Sequence, residues 1–345
     1  MNPEKKNFSE LVDLAMASPG LSAMRPVVEK ELLHHEIFQA LDADGLLKGL
    51  VFQGGTSLRL CRGSDRFSED IDFAGGTNFS AASMEPIKHC VEQRIGQRFG
   101  LNVSVHHKPG KAGVDNARNV HVDKWWISIE TAPELPMMPR QKIKLEIANV
   151  PAHTRELVPL RANYDVVSGM PVVLVNTESL YEIMADKVLA FPTSLFDSKG
   201  NPGKLDSAKI RHRDIWDLAW MAGRGVKLAP QLVSAKLQDY SLKEYPALLG
   251  AAIERLPEIV ASREFKGQMT RFIDASTVAR TLAVDGYTKY LATSVGGLFS
   301  EMQQSLDQPL QESTTARQSS PSPAAPQTQA TGLKSKVKQK QKPRP

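Results

Sequence analysis

Apolar residues recur along this chain with two different periods, and the change from one to the other outlines its architecture. Between Pro26 and Ala43 the side chains Val27, Val28, Leu32, Ile37, Phe38 and Leu41 follow helical rather than alternating spacing, which predicts an amphipathic helix. Leu50, Val51 and Phe52 then make a short buried strand, broken by Gly54 and Gly55. Thr56 is placed to cap a helix carrying Leu58, Leu60 and Cys61. From Phe67 to Phe73 the chain reads as a second strand, with Ile71 and Phe73 on one face and Asp70 and Asp72 on the other. Further strands are expected at Leu101–Val105 and Trp125–Ile129, joined as a hairpin across a polar stretch containing His106, His107, Lys108 and Lys111. Lys142–Ile147 alternates cleanly: Ile143, Leu145 and Ile147 face one way, and Lys142, Lys144 and Glu146 the other.

After Val175 the spacing becomes helical almost to the end. The expected organisation is an α+β domain over residues 1–175, a mainly α-helical domain over 176–301, and a tail over 302–345. The tail is rich in Gln, Ser, Pro and Ala and finishes with Lys334, Lys336, Lys338, Lys340, Lys342 and Arg344. Such a composition cannot bury a core, so a disordered solubilising tail is expected, with weak salt-screened attraction to phosphate backbones as the alternative. No site residue is expected there, and no solenoid-like repeat is visible.

Composition narrows the function classes. At 41% hydrophobic and 23% charged residues the chain is an ordinary globular sequence, with no apolar run long enough to cross a bilayer. No signal-peptide pattern precedes the first helix, so a cytoplasmic protein is expected. Two cysteines, Cys61 and Cys90, exclude a multi-disulfide scaffold and an all-cysteine zinc site within one chain. The net charge of +5 suits an acidic partner, although much of the excess sits in the tail.

The candidate chemistry lies on the polar strand faces. Carboxylates two residues apart on a strand point the same way from backbone positions about 6.6–7 Å apart, so Asp70 and Asp72 can converge. Such a pair can bracket the divalent ions of a phosphoryl-transfer site, which sit about 3.5–4 Å apart. Magnesium is the expected ion because it takes hard oxygens from one or two carboxylates together with substrate phosphates. A lone Asp-x-Asp pair is common on solvated edge strands; the preceding Gly54-Gly55 turn adds weight. There the backbone N–H groups can approach a triphosphate, the helix N-terminus favours anions, and Thr56 adds a hydroxyl. Glu146 is a third carboxylate, able to hold metal and to take the proton of an attacking hydroxyl. The plainer alternative is an exposed glutamate paired with Lys142 or Lys144.

Two helical runs in the second half add charged groups. Leu180, Ile183, Met184, Val188 and Phe191 form one stripe, and Lys187 falls inside it, where it must snorkel or meet an anion. Asp214 and Asp217 share a helix face, where structural pairing with Arg211 or Arg213 is the alternative to a site role and the preferred reading for Asp217.

Phe52-Gln53-Gly54-Gly55-Thr56-Ser57-Leu58 and Arg66-Phe67-Ser68-Glu69-Asp70-Ile71-Asp72-Phe73 together resemble the signature of the AbiEii-like nucleotidyltransferase toxins of the abortive-infection group. That family belongs to the polymerase-beta-like nucleotidyltransferase superfamily. The run from Glu182 to Lys187 is similar to its lysine motif, and Arg211-His212-Arg213-Asp214-Ile215-Trp216-Asp217-Leu218 resembles its Arg-Asp-x-x-Asp motif.

The resemblance implies a polymerase-beta-like domain with a mixed sheet and a helical domain completing the nucleotide site. It implies Mg2+-dependent transfer of NMP from an NTP, with Lys187 on nucleotide phosphate and Asp214 positioning Lys187 or the nucleotide. It further implies a toxin that modifies RNA, most plausibly the 3′ end of tRNA, and so blocks translation and growth. A cognate antitoxin protein would be encoded nearby, and no membrane would be involved. One departure is Gln53, where many relatives carry lysine; Arg59, Arg62 or Arg66 would have to supply that phosphate contact. Ser68 is a further nucleotide-site hydroxyl, and phosphorylating it is expected to inhibit by adding negative charge. Lys108, Lys111, Arg118, Lys124 and Arg140 could hold an RNA backbone with Trp125 or Trp126 stacking a base, although core positions are the preferred reading for both tryptophans. Two alternatives stay open: transfer to a small antibiotic-like molecule or a protein hydroxyl, and an inactive nucleotide-binding module. Intact Asp70, Asp72 and Glu146 argue against the second.

Overall fold

Strict alternation in the middle of the chain builds the sheet on which everything else is laid. In the computed structural model, which describes residues 7–107, 120–134, 137, 139–195 and 209–307, β4 (Val122–Glu130) and β5 (Gln141–Ala148) pair antiparallel in the register Trp125↔Leu145 and Ile127↔Ile143. These four side chains are buried together on one face. β3 (Asn102–His107) joins the outer side of β4 antiparallel, as the hairpin reading expects, while its connecting residues lie outside the described ones. Among the described residues seven strands form one mixed sheet in the order β3-β4-β5-β2-β1-β7-β6. Here β1 is Val51–Gln53, β2 Ile71–Ala74, β6 Glu156–Pro159 and β7 Leu174–Thr177. β2 runs parallel to β5, and β1 parallel to β7.

Helices α1 (Phe8–Met16), α2 (Arg25–Ala43) and α4 (Glu85–Phe99) cover the apolar face. Phe38 of α2 packs against Phe52 of β1 and Phe73 of β2, with ring centroids 4.7 and 5.9 Å away. These elements share one hydrophobic cluster. A second cluster gathers α5 (Leu180–Ser194), α6 (His212–Gly223), α7 (Pro230–Asp239), α8 (Tyr245–Ala261), α9 (Arg263–Thr270) and α11 (Tyr287–Asp307). The short α10 (Ala275–Arg280) precedes α11. Leu58, on α3 (Gly54–Arg62), belongs to this second cluster. The first cluster is drawn from residues up to Val175 together with Phe272, the second from Ile183 onward together with Leu58, and α3 contributes to both through Leu58, Leu60 and Cys61.

Several local expectations are corrected. Phe67–Asp70 is not ladder-paired strand; β2 begins at Ile71. The preceding segment is fixed instead by Phe67 N–H donating to the Phe272 carbonyl at 2.7 Å, and by the Thr56 hydroxyl donating to the Asp70 carbonyl. Thr56 is therefore not the cap of α3, which starts at Gly54 with Gln53 in the capping position. At the other end, α11 continues through the buried Met302 to Asp307, so the expected start of the tail at residue 302 falls inside a helix. The rest of that tail, and the candidate basic residues Lys108, Lys111 and Arg118, lie outside the described residues. No helix among the described residues is long and apolar enough to cross a membrane.

Candidate active site

The parallel pairing of β2 with β5 sets Asp72 directly beside Glu146, both on the face opposite the apolar core. Asp70 precedes β2 and points the same way. All three carboxylates line one cleft of about 600 Å³, which Gly54, Gly55 and Lys187 also line. The three groups that sequence spacing linked are thus brought together.

Their electrostatics differ. Burial, with repulsion from Glu146 and Asp70, raises the pKa of Asp72 to about 7 against the opposing pull of Lys144 and Arg211. Burial also pushes Glu146 upward, but Lys144 and Lys124 outweigh it and hold that carboxyl below its ordinary value. Lys144 Nζ lies 3.3 Å from Asp70 Oδ2 and 3.1 Å from Glu146 Oε2, while Lys124 Nζ reaches Glu146 Oε1 at 3.4 Å. The pairing of Glu146 with Lys144 is therefore real, yet it occurs inside the cleft rather than on an open surface. Among the described residues no three His, Cys, Asp or Glu side chains converge as a closed metal cage. The hard oxygens of Asp70, Asp72 and Glu146 are nevertheless of the kind magnesium takes, gathered in one cleft with Lys144 and Lys124 as their nearest ammonium partners.

The glycines face this cluster from the N-terminus of α3. Gly54 has φ +78°, a conformation costly for L residues, and a Cβ there would come 2.8 Å from Asp72 Oδ2. A Cβ on Gly55 would come 2.3 Å from Arg66 Nη2 and 3.2 Å from Ser68 Oγ. Bare backbone is therefore needed for the protein's own side chains before any phosphate is considered. Gln53 provides no side-chain cap to α3, so the first-turn N–H groups remain available to an anion. Thr56, expected at the nucleotide, is buried, does not line the cleft, and donates its hydroxyl to the Asp70 carbonyl, which ties down the acidic segment. Ser68 does line the cleft, beside Gly55.

On the opposite wall runs a string of buried charges. Asp217 accepts two bonds from Arg66, at 2.8 Å from Nε and 2.6 Å from Nη2, and lies 2.8 Å from Lys187 Nζ. Lys187 donates to Asp214 at 2.7 Å, and Asp214 also accepts from Arg211. Lys187 therefore meets anions rather than snorkelling. Asp217 is a structural partner as expected, but of Arg66 and Lys187 rather than of Arg211 or Arg213. Burial would push both aspartates up; Arg211 and Lys187 at Asp214, and Arg66 and Lys187 at Asp217, overcome it and keep both ionised.

Of the arginines proposed to replace the missing lysine at Gln53, Arg66 alone lines the cleft. Arg59 is held by Glu31 at 2.9 Å, and Arg62 by Glu156 at 2.5 Å. Arg211 and Arg213 also line the cleft, and as cleft residues the sequence reading missed them. Their signal was their position flanking Asp214, where they had been read only as its partners. A second buried cluster went unnoticed too: Lys236, fully buried on α7, meets Glu182 at 2.8 Å, Glu178 at 2.9 Å and Asp186 at 3.1 Å. It anchors α7 to α5 through Glu182 and Asp186.

The tryptophans separate by phase. Trp125 is buried with Ile127 and Ile129, whereas Trp126 is half-buried on the cleft face of the sheet, between Lys144 on β5 and His106 on β3. Arg140 is engaged by Glu130 at 3.0 Å.

The sequence model of a family described as "Nucleotidyl transferase AbiEii toxin, Type IV TA system" matches residues 36–291, which is well over half of the chain and includes every residue of this cleft. No curated protein sequence matches significantly. Among solved structures, MenT4, a nucleotidyltransferase toxin from Mycobacterium tuberculosis H37Rv, is 17% identical, with 86% of this chain and 99% of that chain covered and a TM-score of 0.49. JHP933 from Helicobacter pylori is 16% identical, with 81% and 93% covered and a TM-score of 0.43.

Proposed function

We propose, for a chain that belongs to the AbiEii nucleotidyl transferase toxin family of type IV toxin–antitoxin systems, that this cleft transfers a nucleoside monophosphate from an NTP to the 3′ hydroxyl of an RNA. Membership makes the protein a nucleotidyltransferase with an antitoxin as partner; the metal, the acceptor and the residue roles are our reading. One observation carries it: an acidic strand pair faces an uncapped, glycine-lined helix N-terminus and a row of cations across a single cleft.

In the reaction the acceptor oxygen bonds to the α-phosphorus, the bond from that phosphorus to the bridging oxygen breaks, and pyrophosphate leaves. Asp70, Asp72 and Glu146 would hold magnesium, which supplies charge neutralisation at the reacting phosphate. Glu146, the third carboxylate of the set, would also be placed to take the proton of the attacking hydroxyl. The Gly54 and Gly55 N–H groups, with Lys187, Arg211 and Arg213, compensate the triphosphate. Asp214 and Asp217 orient Lys187, and Ser68 lines the phosphate end. The alternating face that carries Lys124, Trp126, Lys142 and Lys144 leads to the carboxylates. A face of cations with one half-buried indole suits a single-stranded 3′ end, held by its backbone and stacked on one base. Transfer RNA is the proposed acceptor, and its pool places the reaction in the cytoplasm.

The test is to incubate the protein with Mg2+, each α-labelled NTP and total tRNA, with Asp72→Asn and EDTA as controls. Label on tRNA that both controls abolish is the expected result. Nucleotide binding without transfer, or label only on a small molecule or protein, would overturn the assignment.

A further inference from the structure

Lys144 stands among the carboxylates of the cleft. On β5 it shares a face with Glu146, and the parallel register carries it alongside the segment that enters β2, where Asp70 stands. Its Nζ bridges Asp70 Oδ2 at 3.3 Å and Glu146 Oε2 at 3.1 Å, while Asp72 stands half-buried beside Glu146. Lys124 touches only the other oxygen of Glu146 and is half exposed. One ammonium therefore sits among three carboxylates, in contact with two of those that would hold the proposed metal. An ammonium is a compact point charge on a flexible stem, and it can leave when a stronger cation competes for its partners. Nothing else among the described side chains bridges those two carboxylates.

We propose that Lys144 is the resident counter-ion of the acidic cluster and must be displaced before a divalent cation binds. The inference rests on the metal reading given above. Without metal, Lys144 holds the strand carboxylates together against their mutual repulsion. When a metal loads, the ammonium gives up its carboxylates, and the triphosphate arriving in the same cleft offers it new anionic partners. Metal affinity is accordingly low in the empty protein and rises with nucleotide. Lys144 is on this account a positioning residue rather than a catalytic one. An ordinary structural salt bridge would behave differently: its loss would cost stability and leave metal affinity unchanged.

The test is calorimetric titration of Mn2+ into the nucleotide-free full chain at pH 8, comparing wild type, Lys144→Met, Lys144→Arg and Asp72→Asn. Lys144→Met is expected to bind Mn2+ at least tenfold more tightly than wild type. Lys144→Arg, which keeps the charge, is expected to stay within threefold of wild type, and Asp72→Asn to lose binding. If Asp72→Asn abolishes binding but Lys144→Met binds no more tightly than wild type, the counter-ion role is wrong and the metal reading stands. If Asp72→Asn binds as well as wild type, the metal reading itself fails. Should Lys144→Met not fold, the Mn2+ concentration that raises the melting temperature of Lys144→Gln gives the same comparison, with a tenfold lower midpoint than wild type expected and an equal midpoint overturning the proposal.

Discussion

Replacing Asp217 with asparagine should damage the protein more than any other single change at the cleft. The carboxylate is fully buried and makes three short contacts, two to Arg66 at 2.8 and 2.6 Å and one to Lys187 at 2.8 Å. Asparagine preserves the shape but removes the charge, and its amide turns a donor toward donors. Breaking one member of a buried ion network leaves uncompensated charge and costs about 3–5 kcal/mol, a large share of the 5–15 kcal/mol that holds a typical protein folded. For a folded part of roughly 300 residues, the unfolding entropy converts that loss to a melting-temperature drop of about 5–8 °C. Urea denaturation and thermal scans at pH 7.5 would measure it. Adding Arg66→Met to Asp217→Asn should cost little more, because the stranded guanidinium is then gone. A loss under about 1 kcal/mol for Asp217→Asn, or strictly additive effects in the double variant, would refute the description of Asp217 as the keystone of the network.

Three more outcomes follow from the geometry. Gly55→Ala should lose about 1–3 kcal/mol and at least tenfold in transfer rate, because Arg66, locked by Asp217, cannot yield to a Cβ at 2.3 Å; normal stability in urea would contradict the packing. His34 is fully buried, with Nε2 3.1 Å from the Glu69 carbonyl, and burial lowers its pKa from 6.5 to about 4. The unfolded chain therefore binds more protons between these values, and stability should fall by up to about 3 kcal/mol as pH drops from 6.5 to 4. Melting curves of His34→Gln should lack that part of the slope; identical pH profiles would refute it. Trp126→Ala should raise the KM for tRNA about fivefold or more, given a base-stacking worth of about 1–3 kcal/mol, with the KM for NTP unchanged. Equal weakening for both substrates would point to a folding defect instead.

What the sequence made legible were features of short range. Alternation placed Ile71 and Phe73 against Asp72, and Ile143, Leu145 and Ile147 against Glu146, so the polar face and its carboxylates followed directly from the pleat. The same rule applied to Trp125 and Trp126 would have parted them, since only Trp125 is in phase with Ile127 and Ile129. The odd placement of Lys187 in an apolar stripe announced an anion partner, and Asp214 was already the candidate. Long-range pairing was not legible. Nothing local joins Arg66 to Asp217, so the aspartate was matched with its sequence neighbours Arg211 and Arg213. Phe67–Asp70 carries strand-like residues, but its hydrogen bonds go to Phe272 and Thr56, partners that only the tertiary fold brings near. Thr56 looked like a cap because helix starts favour threonine; the backbone begins its turn two residues earlier at Gly54.

The bond between Arg66 and Asp217 joins residues 151 positions apart, and this has a bearing on how the protein is made. At about 5–20 residues per second, synthesis needs roughly 8–30 s to pass from one to the other. Until residue 187 is made the emerging chain lacks Lys187, and until residue 217 it lacks the group that fixes Arg66. A product of translation interrupted between residues 146 and 187 would thus carry the three carboxylates and the glycine bend without Lys187, Arg211, Arg213 or Asp214. Transfer activity is therefore expected only of chains that extend through α6.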